Sequence, residues 1–90
     1  MTYRVEIADA ARKTLAGLST RDQKAIKSAL DGLQANPRPM GSQKLVGQQG
    51  LMRIRKGNFR ILYTVSDGEV LVLVLRIGDR KEVYRSLDRL

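Results

Sequence analysis

Two turn signals in the second half of the chain restrict the fold more than any other feature. Gly57-Asn58 and Asp67-Gly68 each separate runs of residues that are rich in β-branched and other apolar side chains. Such pairs readily adopt the backbone conformations of tight hairpin turns, so the strands on either side become antiparallel neighbours. The predicted strands comprise residues 51–56, 59–66 and 69–77. The sequence therefore predicts three adjacent antiparallel strands joined by two hairpins.

The first half of the chain predicts one strand and two helices. Residues 2–8 alternate between apolar and polar side chains, which indicates a half-exposed strand. Asp9 is expected to cap a short helix. Thr20 and Gln23 have the spacing of a capping box, which predicts that a second helix begins there and ends at Asn36-Pro37.

The second helix carries one apolar stripe, which requires a surface to pack against. Its members recur at i, i+3, i+4 and i+7, and they are Ile26, Ala29, Leu30 and Leu33. The fold class is predicted as α+β, with an N-terminal strand and a two-helix hairpin packed on a mostly antiparallel four-stranded sheet. Residues 1–90 are expected to form a single domain, in which residues 37–50 are a loop and residues 81–90 a short helix or an extended tail. The spacing leaves open where the first strand joins the sheet.

The composition excludes several kinds of site. The chain has no cysteine and no histidine, so we expect no disulfide, no thiolate chemistry, no metal and no cofactor. No apolar run approaches the ~18–20 residues that span a bilayer, and the N-terminus lacks the apolar core of a signal peptide. A cytoplasmic location without a membrane partner is the expectation.

The charge distribution points to an anionic partner. The net charge is +8, from 17 basic and 9 acidic residues. Residues 32–66 contain no Asp or Glu. The basic residues in this window are Arg38, Lys44, Arg53, Arg55, Lys56 and Arg60. A polyanion-binding surface and an ordinary solvated basic face both fit this pattern, and the strand positions of the arginines favour the first.

Strand alternation places these arginines on one face of the sheet. Arg53 and Arg55 lie two residues apart, so they share a face, and Arg60 lies opposite the apolar face of its own strand. An unpaired guanidinium is costly to bury, so each must meet water, a polyanion or a carboxylate. For Arg60 the structural alternative is an ion pair with Glu6 or Glu69.

Such a face could cleave RNA without a metal. The ribose 2′-hydroxyl would attack its own phosphate while the protein withdraws a proton, neutralises the phosphorane and protonates the leaving 5′-oxygen. Arginine clamps phosphate well, and tyrosine and lysine remain as proton carriers.

Three segments together resemble the RelE branch of the RelE/ParE toxins of type II toxin–antitoxin systems. They are residues 43–47 (QKLVG), 51–63 (LMRIRKGNFRILY) and 77–84 (IGDRKEVY). The resemblance implies a RelE-like fold and a ribosome-dependent endoribonuclease, an mRNA interferase that cuts mRNA in the ribosomal A site. It also implies a cognate acidic antitoxin in a hetero-oligomeric complex, with the ribosome and mRNA as further partners.

The resemblance also implies the site residues. The catalytic residues would be Arg53, Arg55, Arg60, Arg80 and Tyr84. Of these, Arg53 and Arg60 would hold the scissile phosphate, Arg80 would stabilise or protonate the leaving oxygen, and Tyr84 would stack on or orient the nucleotide. More general RNA contacts are expected from Arg38, Lys44, Lys56 and Lys81.

Several alternatives stay open at this stage. Some family members have lysine where this chain has Arg53 and Arg55, so the residue that acts as general base is not assigned. Arg80 could instead pair with a neighbouring carboxylate, and Tyr84 could be a core aromatic residue. A ParE-like inhibitor of DNA gyrase would share the fold without cutting RNA. A non-catalytic basic binding module is a third function class.

Overall fold

The computed structural model describes residues 2–45, 47, 50–79 and 83, and these form two helices against one five-stranded sheet. The strands are β1 (Arg4–Ile7), β2 (Gln43–Lys44), β3 (Leu51–Lys56), β4 (Phe59–Ser66) and β5 (Leu71–Asp79). The helices are α1 (Asp9–Ala16) and α2 (Thr20–Ala35). The strand order is β1-β5-β4-β3-β2. The predicted α+β class is confirmed.

The apolar stripe of α2 packs on one face of this sheet, as predicted. Ile26, Leu30 and Leu33 are buried in the same cluster as Ile61 and Tyr63 of β4. Burying such side chains is the main stabilising contribution in a domain of this size. Within the described residues, neither helix combines the length and the apolar character needed to cross a membrane.

The sheet has one strand more than the predicted four. β2 lies inside the predicted loop and pairs with β3 through two residues, Gln43 opposite Arg53 and Lys44 opposite Met52. Two residues are too few to show a strand period, so β2 leaves no signal in the sequence pattern. The first strand, whose position was left open, runs parallel to β5 along the opposite edge of the sheet.

Both predicted helix caps are displaced by one residue. Asp9 is the first residue of α1, and the cap position belongs to Ala8, whose side chain makes no capping hydrogen bond. Ser19 caps α2, because its hydroxyl accepts a hydrogen bond of 3.1 Å from the backbone N–H of Asp22. Gln23 donates instead to the carbonyl oxygens of Ala16 and Leu18, which ties α2 to the end of α1.

The predicted two-residue turn between β4 and β5 is wrong. Ser66 pairs with Leu71, so residues 67–70 form a four-residue loop. Val70 has a φ of 52°. A β-branched side chain in this left-handed conformation is strained. The carbonyl of Val70 accepts a hydrogen bond of 2.9 Å from the N–H of Arg4, so the loop also fixes the start of β1.

Candidate nucleic-acid interface

Four arginines from three neighbouring strands lie on the sheet face opposite the helices. Arg55 of β3 is directly opposite Arg60 of β4, and Arg53 is directly opposite Leu62. Leu62 is in turn opposite Arg76 of β5. Because paired residues share a face of a sheet, the four side chains leave the same side. We call this surface the arginine face, and its members are Arg53, Arg55, Arg60 and Arg76.

Arg60 is the most buried charged side chain of the arginine face. Its residue is 9% exposed, and its Nη1 donates a hydrogen bond of 3.2 Å to the carbonyl of Phe59. The predicted alternative, an ion pair with Glu6 or Glu69, is not formed. Glu6 pairs with Arg4 at 3.1 Å, and Glu69 accepts a hydrogen bond from Ser66.

Like charges meet directly across the β3–β4 ladder. Arg55 and Arg60 are cross-strand partners. Within residues 2–45, 47, 50–79 and 83, no carboxylate forms an ion pair with either of them. Directly opposed like charges destabilise a sheet. A sequence that keeps a buried arginine opposite an exposed one in this way is typical of an anion-binding site, where the ligand supplies the missing charge.

Arg53 is held at the edge of the sheet by β2. Its guanidinium donates a hydrogen bond to the side-chain carbonyl of Gln43, which is also its cross-strand neighbour. Gln43 has no predicted role, because a polar residue in an apparent loop carries no sequence pattern that points to a site. The short strand β2 therefore brings a positioning residue to the arginine face.

Arg76 also received no role from the sequence, although it completes the arginine face. Strict alternation from the buried residues Val72 and Val74 would send Arg76 to the helix side of the sheet. The register shifts instead, because Leu62 pairs with Arg76 while the next residue, Tyr63, pairs with Val74. Leu75 is thus an extra residue in β5, a β-bulge, which turns Arg76 to the open side.

The predicted general RNA contacts do not share this face. The register puts Lys44 opposite Met52 and Lys56 opposite Phe59, which are the rows that face the helices. Arg38 forms a bidentate ion pair with Asp67, with distances of 3.1 and 2.9 Å. Lys81 lies outside the described residues, as do Arg80 and Tyr84 of the predicted catalytic set.

Asp67 joins three separate parts of the chain. It accepts hydrogen bonds from Arg38 and, at 2.7 Å, from the hydroxyl of Tyr3. The hydrogen bond from Arg38, followed by the one from Tyr3, lowers the pKa of Asp67. The hydrogen bond that Tyr3 donates to Asp67 raises the pKa of Tyr3. The nearby Tyr63 donates to the carbonyl of Pro37 at 2.8 Å, and its burial raises its pKa. The start of the loop that leads to β2 is thereby anchored to β1, β4 and the β4–β5 loop.

A cavity of about 530 Å³ adjoins one end of the arginine face. Its apolar part comes from α2 and the following loop, with Ala29, Gly32 and the fully exposed Met40. Arg55 and Lys56 supply charge at its other side. Its volume falls in the usual range for small-ligand sites.

The C-terminal part of the chain returns to the arginine face at Val83. This residue is buried, and it packs with Leu51 and Leu62 between the arginines. Gly78 lies beyond the predicted end of its strand at residue 77, but it is part of β5 and lies opposite Arg60. A Cβ atom at Gly78 would lie 3.3 Å from the Cβ atom of Val83, so the glycine permits this close approach.

Comparison with known proteins gives consistent results over most of the chain. A family model described as the ParE toxin of the type II toxin–antitoxin system parDE matches residues 5–84. The toxin RelG of Mycobacterium tuberculosis is 30% identical over 86 residues, which cover 94% of this chain and 99% of RelG.

Two solved structures show the same fold. The RelE chain of the archaeal RelE–RelB complex from Pyrococcus horikoshii has a TM-score of 0.78 at 29% identity, with coverage of 90% of this chain and 98% of that one. A mutant of the Escherichia coli toxin RelE in the free state has a TM-score of 0.80 at 27% identity, with coverage of 100% and 99%.

Proposed function

Because the chain belongs to the RelE/ParE family of toxins of type II toxin–antitoxin systems, we propose that it is a ribosome-dependent endoribonuclease that cuts mRNA in the ribosomal A site. The observation that carries this proposal is the arginine face. Arg55 and Arg60 oppose each other there without a carboxylate partner among the described residues. A phosphodiester supplies the charge and the planar oxygen pairs that such guanidinium groups bind best.

The cleavage step needs no metal. The 2′-oxygen forms a bond to phosphorus, the bond to the 5′-oxygen breaks, and the products carry a 2′,3′-cyclic phosphate and a 5′-hydroxyl. Arg53 and Arg60 hold the scissile phosphate and stabilise the added negative charge of the phosphorane. Gln43 keeps Arg53 in place through their hydrogen bond.

Two further residues enter through the family resemblance. Arg80 stabilises or protonates the leaving oxygen, and Tyr84, which directly follows Val83 in the chain, orients the nucleotide. The proton of the 2′-hydroxyl leaves to a base that the resemblance does not assign, because arginine stands where some relatives have lysine. Binding to the ribosome supplies the orientation of the mRNA, so positioning carries much of the rate enhancement.

A translating extract tests this function. The purified protein is added, and the mRNA ends are mapped by primer extension, with Arg60→Ala and Arg80→Ala as active-site variants. Arg21→Ala, an exposed change on α2 with the same loss of charge, serves as the control. We expect cuts within ribosome-bound codons for the wild type and the control, and none for the two variants. Intact mRNA with the wild type would refute the proposal.

The family model also favours a second candidate, since its description names the ParE toxin. Under this candidate the protein binds DNA gyrase and cuts no RNA. A gyrase inhibitor has no chemical need for opposed arginines, so the arginine face favours the nuclease. Trapped gyrase–DNA complexes together with intact mRNA would favour the gyrase inhibitor over the nuclease.

The partner in the cell is proposed to be an acidic antitoxin. The RelE of Pyrococcus horikoshii was solved in complex with RelB, and this chain has a net charge of +8. We expect the antitoxin to cover the arginine face in a hetero-oligomeric complex and to associate more slowly as the salt concentration rises. An association rate that is indifferent to ionic strength would count against this partner.

A further inference from the structure

We propose that Arg76 forms a second phosphate subsite, which binds an RNA phosphate other than the scissile one. This inference rests on the proposed function for the identity of the ligand, and it adds a residue and a subsite that the family resemblance did not supply. Three observations carry it: the β-bulge, the surroundings of Arg76, and the apolar residues that separate it from Arg53.

The β-bulge is a specific structural device for exposing Arg76. If Leu75 did not bulge, the side chain of Arg76 would point towards the helices, into the cluster that holds Val72 and Val74. With the bulge, Ile77 takes the buried position and Arg76 faces outwards. Bulges commonly redirect a side chain beside a functional site.

The guanidinium of Arg76 is oriented but keeps donors for a ligand. Its Nη1 donates a hydrogen bond of 2.8 Å to the carbonyl of Leu75, the bulged residue itself. No carboxylate pairs with Arg76 within the described parts of the chain. A guanidinium carries five N–H donors, so one bond to a carbonyl leaves the others available. A half-buried cation in this state is a binding residue for an anion.

An apolar ridge separates Arg76 from Arg53. Leu62 lies between Arg53 and Arg76 in the ladder, and Val83 is packed on it. Neighbouring strands are about 4.8 Å apart, so two strand spacings put the backbones of Arg53 and Arg76 roughly 10 Å apart. Arg60 lies one row further along β4 and is the diagonal neighbour of both. Arg53 and Arg60 hold the scissile phosphate on the β3 side of Leu62, and Arg76, on its β5 side, meets another phosphate of the same strand across the ridge.

The salt dependence of RNA binding tests the subsite. The probe is a short single-stranded RNA with a 2′-deoxy nucleotide at the cut position, which prevents cleavage. Each phosphate contact to a single strand contributes about 0.7 to the slope of log K against log salt concentration. We expect Arg76→Gln to lower this slope by about 0.7, while Arg21→Gln leaves it unchanged. Arg76→Lys keeps the charge and should restore the slope.

A neutral methylphosphonate, placed at one linkage at a time, locates the contact. With the wild type, neutralising the contacted linkage should weaken binding. With Arg76→Gln, neutralising the same linkage should not weaken RNA binding any further. The linkage contacted by Arg76 should also differ from the scissile one. Far-UV circular dichroism of each variant checks that the fold is retained.

The outcomes separate this inference from the proposed function. If the wild type leaves ribosome-bound mRNA intact but Arg76→Gln still lowers the slope, the nuclease proposal fails and the subsite stands. If the wild type cleaves and the slopes of Arg76→Gln and Arg21→Gln agree, the subsite fails alone. A wild type without salt-dependent RNA binding, or an Arg76→Gln variant that weakens only antitoxin binding, would also overturn the subsite.

Discussion

At the scale of single residues, the arginine face trades stability for binding. Arg60 is 9% exposed and faces another arginine across the ladder. Replacing a buried ion pair with apolar residues of similar volume is often neutral or stabilising by about 1–4 kcal/mol, because the charges no longer have to be desolvated, and a buried guanidinium without a carboxylate partner carries the same desolvation penalty. A residue kept at such a cost serves function and not folding.

We therefore expect Arg60→Met to raise the free energy of unfolding by about 1 kcal/mol and to abolish mRNA cleavage. Urea denaturation measures the first effect and primer extension the second. Arg21→Met, on the exposed surface of α2, is the matched control and should change neither by much. A destabilised Arg60→Met variant would show that the guanidinium supports the fold.

Gly78 allows Val83 to approach the sheet. An added Cβ atom would lie 3.3 Å from both the Cβ atom and the backbone nitrogen of Val83. We expect Gly78→Ala to lower the free energy of unfolding by about 1–3 kcal/mol, the usual cost of overpacking. Thermal or urea denaturation measures it.

The control for this contact is a double-mutant cycle with Val83→Ala. The backbone nitrogen of Val83 remains in the way, so the cost of Gly78→Ala should fall in the Val83→Ala background without vanishing. Strict additivity of the two changes would mean that the side chains do not meet.

At the scale of elements, the β4–β5 loop stores strain. Val70 is the only residue other than glycine, among those described, with a positive φ. Asparagine and glycine tolerate this conformation, whereas it costs a β-branched residue roughly 1–2 kcal/mol. We expect Val70→Gly and Val70→Asn each to raise the midpoint of urea denaturation, by an amount that corresponds to about 1 kcal/mol.

Glu69→Asn is the control in the same loop, because the φ of Glu69 is not positive. Glu69→Asn should not raise the midpoint of urea denaturation. If Val70→Asn destabilises the protein instead, the Val70 side chain contributes packing that outweighs the backbone strain.

The elements also show how far the sequence predicts this structure. Strong local signals were enough to predict the buried stripe of α2 and the sheet face that Arg53, Arg55 and Arg60 share. The bulge at Leu75 could not be predicted, because residues 70–75 are all apolar and an apolar run looks the same in either register. The two-residue strand β2 and the parallel pairing of β1 depend on distant contacts, which leave no local period.

At the scale of the whole molecule, Asp67 links the start of the described chain and the loop after α2 to the β4–β5 loop. Tyr3 precedes β1, Arg38 follows α2, and both bond to Asp67 in the β4–β5 loop. The pKa of Asp67 is lowered, so its contribution to stability is complete above the ordinary pKa of a carboxyl group, about 3.9, and is lost as the pH falls through the lowered value. The pKa of Tyr3 is raised, so its contribution is lost as the pH rises above about 10.

We expect Asp67→Asn to lower the melting temperature at neutral pH and to matter less at both extremes. The difference from the wild type should shrink below pH about 4 and again above pH about 10. Melting temperatures across the pH range measure it. Asp31→Asn, an exposed change on α2 with the same loss of charge, is the control. Its melting-temperature difference from the wild type should not shrink below pH about 4 and above pH about 10 in the way expected for Asp67→Asn.

The net charge of +8 and the arginine face should also make the stability of the whole molecule depend on which anion is present. Screening by any salt relieves general repulsion, whereas a bound anion stabilises the folded state by mass action. We expect inorganic phosphate to raise the melting temperature more than chloride at equal ionic strength, because phosphate offers oxygen pairs to Arg55 and Arg60. The excess over chloride should largely disappear in Arg60→Met and persist in Arg21→Met. If phosphate and chloride are equivalent for the wild type, the charge acts only as a diffuse field, and the opposed arginines do not form an anion site.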